Sequence, residues 1–123
     1  NIMNETRLDT IYAINDTNRD VVIMENNDVV MAYALINYEK TKETFDKKAK
    51  EVYYIQEIMI SNAFQNQGLG KKMIEYLKKD AYKKGFKLIE LDVWSFNQKA
   101  ISFYKNVGFR EQQLIMNLEL TDE

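Results

Sequence analysis

The residues best suited to do chemistry are Gln65-Asn66-Gln67-Gly68-Leu69-Gly70, followed at once by Lys71 and Lys72. An apolar, β-branched segment, Val52 to Ile60, precedes them, and residues spaced for an amphipathic helix follow. Strand, glycine turn and helix in that order make an anion site. The first amides of a helix have no partner inside it, and the helix dipole adds partial positive charge there. Gly68 and Gly70 have no Cβ, so a ligand can approach the backbone closely. Lys71 and Lys72 carry the wrong sign for the bare dipole; a bound phosphate reverses that. The competing local reading is a tight strand-to-helix connection with solvated lysines. Two familiar phosphate loops are excluded. A P-loop needs Gly where Gln65 stands and Ser or Thr where Lys72 stands. The dinucleotide fingerprint needs a third Gly or Ala where Met73 stands.

Absences narrow the chemistry further. The 123 residues include no cysteine and no histidine. Ser–His and Cys–His nucleophiles are therefore ruled out, a disulfide framework is impossible, and no metal site is expected. Carboxylates, lysines, tyrosines, hydroxyls and backbone amides remain. A net charge of −2 gives no general attraction to nucleic acid or to a membrane surface. No apolar run is long enough to span a bilayer, and the N-terminus lacks a signal peptide's apolar centre. The cytoplasm is the expected compartment. The length suits one domain, residues 1–123, and with no proline and four glycines there is no candidate linker.

The elements that must position the loop can be read in chain order. Leu8, Ile11, Tyr12 and Ile14 fit one face of a short helix, with Asn4 or Thr6 as its cap. Val21-Val22-Ile23-Met24 and residues 29–38 read as antiparallel strands. Between them Glu25-Asn26-Asn27-Asp28 supplies hairpin chemistry, since Asn tolerates positive φ. Residues 39–50 form a charged connection, and 51–60 a central strand, apolar on both faces except at Gln56 and Glu57. A carboxylate there is costly unless paired, hydrated or useful. Leu69, Met73, Ile74, Leu77 and Ala81 mark a helix that Gly85 stops. Residues 86–94 read as a strand parallel to the central one, reached by a right-handed crossover. A second helix over 97–106 ends at Gly108, and 109–120 close the chain as a strand with Leu114, Met116, Leu118 and Leu120 on one side. The expected fold is α/β, with a mixed sheet and flanking helices.

Three patterns together resemble the GNAT superfamily of N-acetyltransferases. They are Gln65-x-x-Gly68-x-Gly70 after a strand ending at Ile60, Asn97-x-x-Ala100 with Tyr104 seven residues after Asn97, and Gly108-Phe109 directly after that helix. The likeness covers residues 51–109. Two departures stand out: the family's proline near Asn62 is missing, and the hairpin begins at Val21, too early for the strand and two helices that usually precede it. The domain is thus either short at its N-terminal side or lacks that part, and the acceptor pocket, which those elements often wall, is the feature this affects.

The resemblance implies a central mixed sheet with a splayed parallel strand pair. It implies acetyl-CoA as co-substrate, with its pyrophosphate on the loop of Gln65, Asn66, Gln67, Gly68, Leu69, Gly70 and Lys71. The pantetheine arm would lie between the strand ending in Met59-Ile60 and that of Leu91 to Trp94, and backbone amides at Ile58, Met59 and Ile60 could stabilise an oxyanion. Asn97 would reach the pantetheine amides, its other role being a helix N-cap. Tyr104 would bind beside the thioester and protonate the departing thiolate; the competing role is a core tyrosine beside Phe103. Glu57 would take the proton of the acceptor ammonium, directly or through water, with burial to tune it; the competing role is a carboxylate paired to a lysine. Glu90 and Asp92 are the next candidates. The implied function is acetyl transfer to a primary amine, of a small molecule or peptide, by direct attack in a ternary complex, with a homodimer left open. Two other classes stay open: a non-catalytic acyl-CoA-binding module of the same fold, and a nucleotide-binding protein.

Overall fold

A computed structural model describes residues 10–15 and 18–122. The chain forms two compact units, one running to Asp92 and the other starting at Val93. In the first, five strands form one sheet in sequence order: β1 (Thr10–Asn15), β2 (Arg19–Asn26), β3 (Val29–Thr41), β4 (Lys50–Ile60) and β5 (Ile89–Glu90). The first four are antiparallel neighbours, whereas β5 runs parallel to β4. The helix α1 (Leu69–Lys83) forms the crossover between β4 and β5. In the second unit, α2 (Gln98–Asn106) is the only helix and no strand is formed among the described residues.

The β2–β3 hairpin follows from its turn. Asn27 and Asp28 sit at φ 52° and 65°, the left-handed pair that a two-residue hairpin with the native twist requires. One face of the sheet carries Val22, Met24, Ala34, Ile36, Tyr53 and Ile55, all buried, and α1 packs on β3 and β4 through Met73, Ile74, Leu77 and Ala81. Met73, Ile74 and Leu77, removed from water, each contribute roughly 1.5–3 kcal/mol gross, which fixes the helix on the sheet.

A bulge in β4 decides what the opposite face presents. Ile36 pairs with Ile55 but Leu35 pairs with Glu57, so Gln56 is an extra residue on β4. Two residues opposing one step resets the alternation. Ile55 and Ile58 therefore both point to the α1 side, while Glu57 and Met59 point away. Gln56, Glu57 and Met59 are exposed, so β4 is not buried on both faces as its composition suggests.

Three expected elements differ. Ile11, Tyr12 and Ile14 lie in β1, a strand and not a helix, held by six register pairs with β2; Asn4, Thr6 and Leu8 lie outside the described residues. The strand expected over 86–94 is reduced to Ile89–Glu90. Residues 109–122 form no strand, and Leu114, Ile115, Met116, Leu118 and Leu120 are exposed, because alternation makes a strand only where a partner edge takes up its hydrogen bonds. Among the described residues no helix is long and apolar enough to cross a membrane.

Candidate functional site

The site in the first unit is built where β4 ends. After Ile60 a short 3-10 turn, Asn62–Phe64, reverses the chain, closed by the Phe64 N–H on the Ser61 carbonyl at 2.8 Å. The Gln65 side-chain amide donates to the Ile60 carbonyl at 3.3 Å and to Asn62 Oδ1 at 3.2 Å. Gln65 thus braces the loop against the strand. Asn66 and Gly68 then take left-handed conformations, φ 64° and 76°, which Asn and Gly reach at least cost.

Gly68 is the N-cap of α1 and offers no side chain to cap it. The first ladder bond runs from the Lys72 N–H to the Gly68 carbonyl at 3.1 Å, so the amides of Leu69, Gly70 and Lys71 precede the ladder. No acidic residue occupies the first turn. A Cβ placed on Gly68 would meet nothing within 4 Å, which means that the turn faces open space. Uncapped amides, dipole, exposed lysines and open approach fit a diphosphate. This is what acetyl-CoA presents.

Beside the loop, the parallel pairing of β4 with β5 stops early. Only Tyr53–Ile89 and Tyr54–Glu90 are in register, joined by the Tyr53 N–H on the Leu88 carbonyl at 3.0 Å. From Ile55 to Ile60 that edge of β4 has no strand partner among the described residues, while its other edge stays paired with β3. Amide direction alternates along a strand: the Ser61 N–H bonds the Met31 carbonyl at 2.8 Å, so the Met59 N–H two residues earlier also faces β3, and of the three expected amides only those of Ile58 and Ile60 face the open edge.

Glu57 is exposed, not buried, because the bulge turns it away from α1. Its Oε2 accepts the Tyr33 hydroxyl at 2.7 Å, so its partner is a tyrosine and not a lysine. Glu90 is ion-paired to Lys50 at 2.8 Å, and Asp92 accepts the Tyr54 hydroxyl at 2.6 Å. That bond, with burial, pushes the Tyr54 phenol up to about 12. Both of these carboxylates are engaged in holding β4 to the segment around β5.

In the second unit, Asn97 caps α2: its Oδ1 accepts the Ala100 N–H at 3.1 Å. The capping role is therefore real, and the side-chain amide nitrogen stays available as a donor. Tyr104, on the same helix, is half-buried between Phe103 and Phe109, ring centroids 5.2 Å and 5.5 Å away and both edge-on. Burial raises its phenol above the ordinary value, so it is protonated at neutral pH.

Two groups of residues had no sequence signal. Tyr33 becomes visible only through strand register, which sets it opposite Met59 and diagonal to Glu57. The other is a network on the core face at the far end of α1. Lys84 Nζ donates at 2.8 Å to each of Asp20, Asp80 and the Tyr38 hydroxyl. Tyr38 also donates to Asp20, and Tyr53 to Asp80 at 2.8 Å. Burial first, then the bond to Asp20, pushes Tyr38 up to about 12. Among the described residues no group of three or more His, Cys, Asp or Glu could hold a metal ion.

The model of the acetyltransferase (GNAT) family matches residues 3–109. L-ornithine N5-acetyltransferase NATA1 of Arabidopsis thaliana is 30% identical over 105 residues, covering 82% of this chain and 45% of that protein. The [ribosomal protein bS18]-alanine N-acetyltransferase of Escherichia coli is 33% identical over 60 residues, 49% of this chain and 40% of that protein. The chain thus spans less than half the length of these relatives. Among solved structures, a variant of the BH1408 protein from Bacillus halodurans superposes with a TM-score of 0.80 at 24% identity, covering 89% of this chain and 70% of that one. The aminoglycoside N-acetyltransferase AAC(6')-Iy, in complex with CoA, gives a TM-score of 0.71 at 15% identity, covering 86% and 69%; both show a shared fold. With a family match over most of its length and a braced, uncapped helix start behind β4, this chain belongs to the acetyltransferase (GNAT) family.

Proposed function

We propose that this chain is the catalytic domain of an N-acetyltransferase that moves an acetyl group from acetyl-CoA to a primary amine, working in the cytoplasm. The observation that carries this reading is the α1 start: amides of Leu69, Gly70 and Lys71 ahead of the ladder, no side-chain cap, no first-turn acid, and open space above Gly68. The activities for which the relatives are named, on ornithine and on a ribosomal-protein alanine, support an amine acceptor.

When bound, acetyl-CoA supplies a thioester carbonyl that an amine can attack. The loop amides and Lys71 hold the diphosphate and so aim the arm along the unpaired edge of β4. Asn97, its Oδ1 engaged as a cap, contributes its amide N–H groups to the arm. Amides of Ile58 and Ile60, which alternate onto the open edge of β4, stabilise the carbonyl oxygen as it gains negative charge, while that of Met59 is held in the ladder to β3. Glu57 removes a proton from the acceptor ammonium, directly or through one water, and exposure lets it exchange that proton with solvent. The nitrogen lone pair forms the N–C bond as the C–S bond breaks, Tyr104 gives its proton to the thiolate, and the second proton that the nitrogen sheds on becoming an amide restores the phenol through water. With no cysteine in the chain, a direct attack in a ternary complex is the economical route.

A thiol-release assay with acetyl-CoA across amino acids, polyamines, aminoglycosides and peptide N-termini tests the reading. Thiol release with at least one amine is expected. Tight acetyl-CoA binding without turnover on any class would indicate a non-catalytic acyl-CoA module instead, and preference for ATP over coenzyme A a nucleotide-binding protein.

A further inference from the structure

On the face of the sheet away from α1, three side chains converge. Met59 lies directly opposite Tyr33 across the β3–β4 ladder, and Glu57, two residues before Met59, points the same way. The Tyr33 hydroxyl reaches Glu57 Oε2 at 2.7 Å. Tyr33 and Met59 also line a groove of about 280 Å³, completed by Val30, Met31, Ala32 and Ser61. Val30 and Met59 are 48% and 47% exposed, so this apolar wall is open to a ligand. The groove has an apolar body and the hydroxyls of Ser61 and Tyr33, and the Glu57 carboxylate stands beside it, fixed by the Tyr33 hydroxyl.

We propose that this groove is the acceptor subsite, that it takes a primary ammonium on an unbranched aliphatic stem, and that Tyr33 is the positioning residue for Glu57. The proposal rests on the acetyltransferase reading and adds the acceptor class to it. Charge complementarity sets the orientation: the ammonium meets the Glu57 carboxylate while the stem lies on Met59 and Val30. An exposed glutamate otherwise samples several rotamers, and the hydrogen bond from Tyr33 removes that freedom. A polyhydroxylated sugar amine fits badly, since hydroxyls set against Val30 and Met59 lose hydrogen bonds to water and find few partners, Ser61 and the Tyr33 oxygen. The same bond to Glu57 raises the Tyr33 phenol above its ordinary value, burial adding to it, so Tyr33 is always the donor at neutral pH.

The test has a binding arm and a kinetic arm on the whole chain. With ¹³C-methyl methionine labelling, n-pentylamine should shift the Met59 methyl resonance saturably, and glucosamine at equal concentration should not; no shift with n-pentylamine, or an equal one with glucosamine, overturns the subsite. In turnover, Met59→Ser, which keeps the backbone amide, should raise KM for n-pentylamine about tenfold with acetyl-CoA affinity unchanged. Tyr33→Phe should lower kcat about tenfold with little change in KM, yet have no further effect in a Glu57→Gln background. A Tyr33→Phe loss of equal size in both backgrounds would show that Tyr33 does not act through Glu57. If turnover is undetectable, titration of ring-labelled tyrosine still decides the contact: Glu57→Gln should lower the Tyr33 titration toward that of free tyrosine, and an unmoved titration refutes it. Failure of the wider reading would appear separately, as absent acetyl-CoA binding, which none of these variants touches.

Discussion

Replacing Lys84 by methionine should destabilise the first unit severely, and the structure sets the size of the effect. The ammonium has three N–H donors, and each has a partner at 2.8 Å: Asp20, Asp80 and the Tyr38 hydroxyl. The Asp20 and Asp80 side chains are 1% and 13% exposed, so methionine leaves two desolvated carboxylates without their shared cation. Removing one partner of a buried pair costs about 3–5 kcal/mol. The Lys84 side chain is 32% exposed, and solvent screening brings the expected loss down to about 2–3 kcal/mol. For a chain of this size that corresponds to a Tm lower by about 10 °C. Urea and thermal unfolding at pH 7 measure it, with Lys78→Met as control. The Lys78–Glu75 pair is 3.5 Å long with both side chains about half exposed, and its loss should cost under about 0.5 kcal/mol. Burial alone would depress Lys84, but its bonds to Asp20, Asp80 and Tyr38 together lift it above the ordinary lysine value. A raised folded value stabilises fully below the unfolded one and fails as pH rises through the folded one. The gap between wild type and Lys84→Met should therefore hold from pH 6 to 9 and shrink only above about pH 10.5. A loss no larger than the control's, or a gap that closes below pH 9, would refute the network's role.

Three further outcomes are expected. Gly68→Ala meets no clash but forces a Cβ into a left-handed backbone, so stability should fall by about 1–2 kcal/mol in denaturant titration. Asn97→Ala removes the cap of α2 and should cost about 1 kcal/mol, read as faster amide exchange over Gln98–Asn106. Tyr104→Phe should lower thiol release at least about tenfold with acetyl-CoA affinity nearly intact, since only proton donation is lost; equal turnover would remove Tyr104 as the acid.

What the sequence made legible was local chemistry. Asn27 and Asp28 announce their turn because few residues accept positive φ, and the α1 boundaries follow from Gly68 and Gly85 and the spacing of Leu69, Met73, Ile74, Leu77 and Ala81. Asn97 likewise declares itself as a cap. Non-local pairing was hidden. Ile11, Tyr12 and Ile14 fit a helical face as readily as a strand, and only the β2 edge decides between them. Leu114, Met116, Leu118 and Leu120 alternate faithfully, yet alternation does not supply a partner. The bulge at Gln56 turned an apparently buried Glu57 outward, and the bond from Tyr33 depends on register between strands. Asp20 and Lys84 stand 64 positions apart, and nothing in either neighbourhood announces the other.

The central claim is that the α1 start holds the diphosphate of coenzyme A, and calorimetric titration of acetyl-CoA into the folded chain tests it most directly. Wild type should bind with one-to-one stoichiometry, more weakly as salt rises, and Gly70→Leu should weaken binding at least about tenfold, equal to 1.4 kcal/mol or more, by covering the loop amides. No heat from coenzyme A or acetyl-CoA, or equal affinity in Gly70→Leu, would contradict the assignment.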